Sequence, residues 1–577
     1  MYVALVQFSP KTGALRDNAE RALACIKELA ESVYPPDLVV FPALALTGAN
    51  VGGLVSHSAF AVECLDVVSE FIARAQLPTL FGAMIPRLLE DGESFICESE
   101  VILCQNGEGG ALGFVDIKNE WPADQCVSRV EIKMGGHRLS IILDDYPEKD
   151  EDFSHSDVVI MMLAKEYEGT NSLFTSSTQI NYLRGLAKRN RSWILAANLV
   201  GAEDDRIYDG GSILLDSSGC IRDSAEPFVE QTLMVNLDLH IKKPASPKDQ
   251  KTVKPLLPCE ADWKALKLSL SDYVRKNGFT DVVLGLSGGI DSACVAALAV
   301  DALGPKHVHA ILMPGPFSSP ASMDDAITQA ALLGIDYKTF SITELYNTFL
   351  RMGNQVLDEI SPHAIALENL QARLRMLILM YFSNTYGWLL LNTSNKSEIA
   401  VGYSTLYGDS AGMFAPLGNL YKTDVYELIA WRNEQNTVIP QSIVDKEPSA
   451  ELREGQRDTD TLPPYETLDR ILRLHIEDDF GIDQIIETAR QESGEPPLEP
   501  ELISSVLGMV KKAEFKRRQM ALAPTLGATD LSAERAWPIT CGFSDHNRNL
   551  VTRAKLLDYL KTIYPDTDFS DFNIFKN

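Results

Sequence analysis

Short apolar runs alternate with amphipathic segments along residues 1–240. The runs are five or six residues long, as is typical of strands, whereas the longer segments repeat apolar residues every three or four positions, as is typical of helices. This alternation predicts a layered α/β fold. The predicted strands are Val3–Phe8, Asp37–Phe41, Thr79–Ala83, Leu139–Leu143, Val158–Met162, Trp193–Ala197 and Leu233–Leu237, and the predicted helices include Asn18–Val33, Ala59–Ala75 and Thr178–Asn190.

A second alternation of strands and helices begins near Trp263. Repeated strand–helix–strand units predict a doubly wound parallel sheet, whose ligand site lies at the carboxyl ends of the strands. The predicted strands are Val282–Leu286, Val308–Met313, Tyr337–Phe340 and Trp388–Leu391, and the predicted helices are Ser292–Leu303, Ser322–Leu333 and Leu367–Thr385.

The segment between the two alternations, Ile241–Glu260, carries four prolines and several lysines and has no apolar period. Such a composition is typical of an interdomain linker, although a long surface loop inside one domain is the alternative. We therefore predict three parts: a first domain at 1–240, a linker at 241–262 and a second domain at 263–577.

Composition narrows the classes of partner. The net charge is −28, which disfavours a general nucleic-acid role because phosphate backbones require excess positive charge. No apolar run approaches the roughly 18–20 residues that span a membrane, so no membrane partner is expected. The nine cysteines show no CxxC pair, which argues for free thiols rather than a disulfide framework or zinc site and indicates the cytoplasm.

The loop GLSGGIDSA, residues 285–293, lies between a predicted strand and a predicted helix. Its glycines (Gly285, Gly288, Gly289) allow the backbone to approach an anion closely, and the helix that follows directs its positive end at the same place. Its serines (Ser287, Ser292) add hydroxyl donors, although they are also typical helix or turn caps. Asp291 fits an anion site if it holds Mg²⁺ beside the phosphates.

The loop lacks the lysine of GxxxxGK[ST], with which a P-loop enzyme reaches the β- and γ-phosphates. SGGIDS instead resembles the fingerprint of the N-type ATP pyrophosphatases, which release pyrophosphate and transfer AMP. The segments that follow resemble NAD synthetase among the members of that superfamily. They are ENLQARLR (368–375), NTSNKSE (392–398), GYSTLYGD (402–409), FAPL (414–417), YKTD (421–424), PSAEL (448–452), LPPY (462–465) and KRRQ (516–519).

This resemblance implies a two-step ligase reaction. ATP adenylates the nicotinate carboxylate of deamido-NAD and releases pyrophosphate, and ammonia then displaces AMP to give NAD. The protein must stabilise charge on the transferring phosphates and position a small neutral nucleophile.

The resemblance also implies roles for individual residues. Asp291 and Glu398 would coordinate Mg²⁺, and a surface helix residue is the alternative for Glu398. The loop residues named above would bind ATP together with Thr393, Lys422 and Ser449, and Lys422 would act in catalysis with the two carboxylates. Ser318 and Ser319 resemble a serine pair near the nucleotide. The residues expected to hold deamido-NAD are Glu368, Asn369, Arg373, Lys396, Tyr403, Thr405 and Asp409.

The first domain resembles the nitrilase (carbon–nitrogen hydrolase) domain of the glutamine-dependent NAD synthetases, with an α-β-β-α sandwich fold. The matching segments are VALVQFSPKTGALRDN (3–18), DLVVFPALALTG (37–48), LFGAMIPR (80–87) and YDGGSILLDSSG (208–219). In that family a Glu base, a Lys and a Cys nucleophile release ammonia from glutamine. Here Ala43 stands at the base position and Leu143 at the nucleophile position, and only Lys118 fits its motif.

Neither an alanine nor a leucine can accept a proton or attack a carboxamide. We therefore expect an inactive amidase domain and ammonia as the nitrogen donor. Glutamine-dependent synthesis, with ammonia from an unrecognised site or a separate glutaminase, is the alternative, and a non-catalytic nucleotide-binding regulator is a third. The resemblance also implies a homo-oligomer, in which the first domain contributes contacts between subunits.

Overall fold

A computed structural model describes residues 1–88, 95–105, 107–111, 128–143, 152–169, 177–237, 255–357, 362–491 and 496–527. Contacts divide the chain into two compact units, Met1–Asn277 and Gly278–Asn577. Most of the predicted linker, residues 241–254, lies outside the described residues, as does Lys118. The helix that follows the linker belongs by its contacts to the first unit, which extends to Asn277.

The first unit contains fourteen described strands in two six-stranded sheets and one hairpin. The sheet orders are β14-β1-β2-β3-β4-β5 and β13-β12-β9-β8-β7-β6, and β10 pairs with β11. The strands are β1 (Tyr2–Gln7), β2 (Leu38–Val40), β3 (Thr79–Leu88), β4 (Phe95–Gln105), β5 (Glu108–Ala111), β6 (Ser128–Met134), β7 (His137–Leu143), β8 (Val158–Leu163), β9 (Trp193–Asn198), β10 (Val200–Glu203), β11 (Arg206–Asp209), β12 (Ile213–Leu215), β13 (Ile221–Ser224) and β14 (Gln231–Asn236). Its helices are α1 (Leu15–Ala30), α2 (Ser58–Arg74), α3 (Ser177–Asn190) and α4 (Pro258–Lys276).

Strand β8 shows how the layers of this unit form. Its alternate side chains point to opposite faces, so Ile160 packs in the core between the two sheets while Met161 packs against α3. On the far side of the first sheet, α1 and α2 contribute Ile26 and Phe71 to the larger core. Both faces of β8 are buried, which explains why its sequence is a continuous apolar run. The predicted α-β-β-α sandwich is confirmed.

The second unit is built on four parallel strands in the order β17-β16-β15-β18. The predicted doubly wound parallel sheet is confirmed. The strands are β15 (Val282–Gly285), β16 (Val308–Leu312), β17 (Asp336–Thr339) and β18 (Leu389–Leu390). The helices are α5 (Ile290–Leu303), α6 (Pro320–Leu333), α7 (Thr343–Asn354), α8 (Ala364–Tyr386), α9 (Lys396–Val401), α10 (Lys422–Gln435), α11 (Gln441–Asp445), α12 (Tyr465–Ile476), α13 (Ile482–Gln491), α14 (Pro500–Lys512) and α15 (Glu514–Arg517). None of the described helices could cross a membrane, because none is both long and apolar enough.

The strand order reverses direction between β15 and β18. The chain runs outward from β15 through β16 to β17 and then returns to the other side of β15. Such a switch point leaves a crevice at the carboxyl ends of the strands, where ligands bind in doubly wound sheets. The loop 286–289 follows β15 and the segment 391–395 follows β18, so both open into this crevice.

Gly288 supplies a first testable prediction. Its φ is +78°, and an added Cβ would lie 2.1 Å from the carbonyl oxygen of Ser322. Gly288→Ala should therefore lower the free energy of unfolding of the second unit by about 3 kcal/mol or more, measured by urea denaturation. Gly304→Ala is the matched control, since Gly304 also has a positive φ (+87°) but open space around its Cβ position. The control should cost only about 1 kcal/mol, and equal losses in the two variants would contradict the steric argument.

Candidate functional site

The loop that joins β15 to α5 is held by its own serines. Ser292 Oγ donates to the carbonyl oxygen of Gly289 at 3.0 Å and lies 3.0 Å from Ser287 Oγ. The backbone N–H of Gly289 in turn donates to Ser287 Oγ at 3.2 Å. These bonds fix a tight turn at the start of α5, where the unpaired N–H groups of the first helical turn favour an anion.

Three charged side chains from three helices meet beside this loop. Lys422, at the first position of α10, places Nζ 2.5 Å from Asp291 Oδ2 on α5 and 3.6 Å from Glu398 Oε1 on α9. Asn395 completes the cluster, because its Nδ2 donates to Asp291 Oδ1 at 3.0 Å. Lys422 is only 2% exposed, so its charge depends on the two carboxylates for compensation. The structure thus brings together the three residues that the sequence predicted to be catalytic.

Local interactions place Glu398 and Lys422 in the cluster. A capping box fixes the start of α9: Asn395 Oδ1 accepts from the backbone N–H of Glu398, and Glu398 Oε2 accepts from that of Asn395. The start of α10 is tied to the same helix, because the backbone N–H of Lys422 donates to Ser397 Oγ at 2.8 Å. Asp469 on α12 accepts from that hydroxyl and holds it in place.

The electrostatics of this cluster are set by burial and mutual charge. Burial and, to a smaller extent, the nearby Asp291 carboxylate together raise the pKa of Glu398 to about 8, against the opposing effect of Lys422. Burial alone would lower the pKa of Lys422, but the charges of Asp291 and Glu398 outweigh it and raise that pKa. At neutral pH the cluster therefore keeps Lys422 charged, while Glu398 readily holds a proton.

The donor set fits a Mg²⁺ ion that also binds phosphates. No group of three or more His, Cys, Asp or Glu side chains within the described ranges could hold a metal by itself. Mg²⁺ does not need such a group, because it commonly binds through one or two carboxylates and completes its shell with water and substrate phosphates. Asp291 and Glu398 supply two carboxylates next to a loop that is suited to binding phosphates. In this structure, the Lys422 ammonium group is close to both carboxylates.

A second group of predicted residues lies where α8 meets the loop 402–409. Thr405 Oγ1 donates to Asn369 Oδ1 at 2.7 Å, and its backbone N–H donates to Asp409 Oδ1 at 2.8 Å. Arg373 donates from Nε to the carbonyl oxygen of Leu406 at 3.1 Å and is otherwise exposed. Burial raises the pKa of Asp409. These contacts hold the loop on α8 and leave the Arg373 guanidinium at the surface.

Tyr403 faces a further buried carboxylate. Its hydroxyl donates to Asp458 Oδ1 at 3.1 Å, and the Tyr465 hydroxyl donates to Asp458 Oδ2 at 2.9 Å. Burial raises the pKa of Asp458, and the two hydroxyl groups partly offset this by stabilising the ionised carboxylate. Asp458 was not among the predicted site residues, because nothing in its local sequence distinguishes it.

Four other predicted residues make contacts outside these two groups. Lys396 lies 2.5 Å from Glu477 Oε1 and over the ring of Tyr421. Ser449 Oγ donates to the carbonyl oxygen of Gln456, within its own turn. Glu368 is 3.6 Å from Arg453 Nε, and Thr393 follows β18, partly exposed. Their roles in binding stay predictions.

The structure adds two residues that sequence reasoning missed, Lys446 and Glu451. Lys446 Nζ donates to the carbonyl oxygen of Gly288 at 3.0 Å and pairs with Asp325 at 2.5 Å. Glu451 accepts from the backbone N–H of Ser319 and from the hydroxyl of Ser322. The motif PSAEL marked this segment as notable, but no local pattern indicates that it folds back onto a loop 158 residues earlier.

In the first unit, the two apolar residues predicted to stand at the amidase positions belong to the core. Ala43, which follows β2, and Leu143, at the end of β7, are 0% and 8% exposed and pack in the core that includes the space between the sheets. No polar chemistry is available at either side chain. Lys118 lies outside the described residues.

Comparison with known proteins identifies the family. A sequence model of the family described as NAD synthase matches residues 262–520. The glutamine-dependent NAD(+) synthetase of Aquifex aeolicus is 34% identical over 94% of this chain and 99% of its own length. The chain belongs to the glutamine-dependent NAD(+) synthetases. The family member from Synechocystis is likewise 34% identical, over 94% of this chain and 99% of its own length.

Solved structures of the family agree with the fold. The glutamine-dependent NAD+ synthetase from Acinetobacter baumannii, in complex with ADP, has a TM-score of 0.67 at 28% identity and covers 95% of this chain and 99% of its own. The Cytophaga hutchinsonii enzyme has a TM-score of 0.75 at 19% identity, covers 94% of this chain and 97% of its own, and supports the fold alone. The predicted NAD synthetase activity and ATP binding are confirmed at the level of the family.

One prediction is wrong. Ammonia was expected as the nitrogen donor, but full-length relatives that include the first domain are glutamine-dependent synthetases. The error came from treating one pair of residues, Ala43 and Leu143, as decisive for the whole reaction. The residue at one position bears on where ammonia could be released from glutamine, but it does not determine the compound from which the nitrogen comes.

The raised pKa of Glu398 predicts a dependence of stability on pH. Because the folded-state value is about 8 and the ordinary value is 4.5, protonated Glu398 stabilises the fold fully below about pH 4.5, and this contribution is lost as the pH rises through 8. Without nucleotide or metal, the midpoint temperature of thermal unfolding of the second unit should therefore decrease as the pH is raised from 5 to 9. Glu398→Gln should reduce this decrease, whereas the exposed Glu344→Gln should not. Parallel curves for wild type and Glu398→Gln would contradict the assignment.

Proposed function

We propose that this chain converts deamido-NAD to NAD by adenylation with ATP and amidation with nitrogen from glutamine. The observation that carries the proposal is the Asp291–Lys422–Glu398 cluster beside the glycine-rich loop at the switch point of the parallel sheet. A loop that favours anions, two carboxylates and a buried lysine supply what phosphate activation of a carboxylate requires. Domains at 1–240 and 263–577, joined by a linker at 241–262, remain part of this proposal.

In the proposed reaction, Asp291 and Glu398 would hold Mg²⁺, which neutralises charge on the ATP phosphates. Lys422 would then turn from the carboxylates to a phosphate oxygen. The loop residues Ser287–Ser292 would cradle the pyrophosphate, with Gly285, Thr393 and Ser449 contributing to ATP binding. The residues proposed for deamido-NAD are Glu368, Asn369, Arg373, Lys396, Tyr403, Thr405 and Asp409.

We further propose that the first domain is an inactive amidase and that a separate glutaminase releases the ammonia. Ala43 and Leu143 stand in place of the base and the nucleophile, and both are buried apolar side chains. A site that attacks a carboxamide needs a nucleophile and a base within hydrogen-bond reach, and neither residue can serve. An unrecognised amidase site in this chain is the competing source.

The test uses the full chain with deamido-NAD, MgATP and glutamine labelled with ¹⁵N in its amide group. Without added glutaminase, we expect little labelled NAD, and with a purified glutaminase we expect the label to appear in the nicotinamide. Substantial labelled NAD from the chain alone would overturn the separate source and indicate an amidase site within it.

Controls in the same assay isolate the synthetase site. Asp291→Asn should reduce pyrophosphate release that depends on deamido-NAD by about a hundredfold or more, whatever the nitrogen source, because it removes a phosphate-neutralising carboxylate. Asp336→Asn, on the exposed strand β17, should leave the rate unchanged. Wild-type rates in Asp291→Asn would remove the metal assignment, and an inactive wild type would remove the proposed function itself.

We also propose that the enzyme is a cytoplasmic homo-oligomer. The seven cysteines in the described ranges form no disulfide with one another, which suits a reducing compartment. Helices α7 and α8 expose large apolar side chains, among them Phe349 (57%), Met352 (64%), Leu377 (64%) and Tyr381 (65%). An exposed apolar set of this kind is typical of a surface that pairs with another chain, and a second copy supplies the same complementary surface.

The oligomer is tested by mass. The double variant Leu377→Asp/Tyr381→Asp should lower the solution mass, measured by light scattering, because charges in an apolar interface lack partners. A matched double variant on the exposed face of α2, Val62→Asp/Leu65→Asp, should leave the mass unchanged. If the α7–α8 variant keeps the wild-type mass, or if the wild type is a monomer, the proposed interface is wrong.

A further inference from the structure

Arg375 lies at the carboxyl ends of the two central strands. Its Nε donates to the carbonyl oxygen of Met313, the residue after β16, at 3.1 Å. One turn later on α8, Leu379 packs beside Gly285 at the end of β15, since an added Cβ there would lie 3.5 Å from Leu379 Cδ1. The turn after β16 encloses the guanidinium, with Nη2 3.0 Å from the Cβ position of Gly315. Arg375 thus reaches the sheet edge from which the glycine-rich loop begins.

The charge of Arg375 has no ion-pair partner within the described parts of the chain. Besides the bond to Met313, its only hydrogen bond there is a long one, 3.4 Å from Nη2 to Ser318 Oγ. The carboxylates that act on it through space, Glu451 and Asp409, are both hydrogen-bonded elsewhere. Burial lowers the pKa of Arg375, as expected for a charge that is poorly compensated.

Other enclosed arginines of this unit are paired differently. Arg432 makes a two-pronged contact with Asp301 at 2.6 and 2.9 Å, and Arg517 binds Glu514 at 2.8 Å. In Arg375, by contrast, Nη1 has no hydrogen-bond partner among the described residues. It is also not one of the fully buried side-chain polar atoms without a partner, so it keeps some solvent access. An unpartnered donor with solvent access faces space that a ligand can enter. Arg375 as a whole is partly exposed.

We propose that Arg375 binds a phosphate oxygen of the nucleotide held at the glycine-rich loop. A guanidinium presents a planar fork of donors that matches a phosphate, and a buried cation without a partner is stabilised by an incoming anion. Ser318, which touches Nη2, lies in the same turn after β16. Arg375 is therefore a binding residue for the reaction, and this inference rests on the proposed function only in taking the anion to be ATP.

The competing explanation is that Arg375 only anchors the turn after β16. The two explanations predict opposite effects on the ligand-free protein. Removing an anchor lowers stability, as removing a paired buried arginine does, whereas removing an uncompensated buried charge leaves stability unchanged or raises it. Stability without ligand and affinity for ATP therefore have to be measured on the same variants.

The experiment compares the full chain with Arg375→Met, Arg432→Met and Arg351→Met. ATP binding is measured by calorimetry and the thermal midpoint without ligand by scanning calorimetry. For Arg375→Met we expect an unchanged or higher midpoint and an ATP affinity weakened by about tenfold or more, because a charge-assisted bond is lost. Arg432→Met should lower the midpoint, and the exposed Arg351→Met should change neither quantity.

An unchanged ATP affinity in Arg375→Met would overturn the proposal, as would a weakening no greater than that in Arg432→Met. If Arg375→Met does not fold, Arg375→Lys replaces it: this variant keeps the charge but loses the fork, and ATP affinity equal to wild type would overturn the proposal. A wild type that binds ATP without forming NAD would contradict the proposed function and leave the Arg375 comparison valid.

Discussion

The buried ion cluster of Lys422 with Asp291 and Glu398 is the interaction on which the second unit depends. Each partner comes from a different helix, so the cluster fixes the relative positions of α5, α9 and α10 around the glycine-rich loop. A lysine that is 2% exposed is tolerable only with such compensation, and one without it would lose its charge or destabilise the fold. The same balance makes the cluster responsive, because a divalent cation and phosphates offer new partners to all three groups.

Local features of this site could be predicted from the sequence, and its distant contacts could not. Strand β15, its loop and α5 follow from a continuous pattern of apolar and glycine positions. The pairing of Asp291 with Lys422 joins residues 131 positions apart, and only family resemblance pointed to both. Arg375 shows the limit most clearly. Arg373 and Arg375 share one motif, but residues two apart on a helix face different directions, so one is exposed and the other reaches the sheet.

The first unit shows the opposite relation between packing and chemistry. Its sandwich depends on apolar side chains that alternate along strands such as β8, and Ala43 and Leu143 join that core without disturbing it. The apolar pattern therefore predicted the fold of this unit without depending on the chemistry of these two positions. The inference from those two positions to free ammonia failed because two residues describe the chemistry of one site only. The compound that supplies the nitrogen depends on every step of the reaction.

The two units consequently differ in the free energy that burying their polar and charged groups requires when no ligand is bound. The first unit buries apolar side chains, Ala43 and Leu143, at the two positions predicted for amidase chemistry, and their burial carries no cost of desolvating a polar group. The second unit keeps a carboxyl with a strongly raised pKa at Glu398 and a poorly compensated cation at Arg375, both unfavourable without ligand. A fold that retains such groups recovers their cost when a nucleotide and metal bind, since any ligand that binds only the folded state stabilises it. The active site of this chain is accordingly expected where the ligand-free fold holds its least favourable buried groups, in the crevice between β15 and β18.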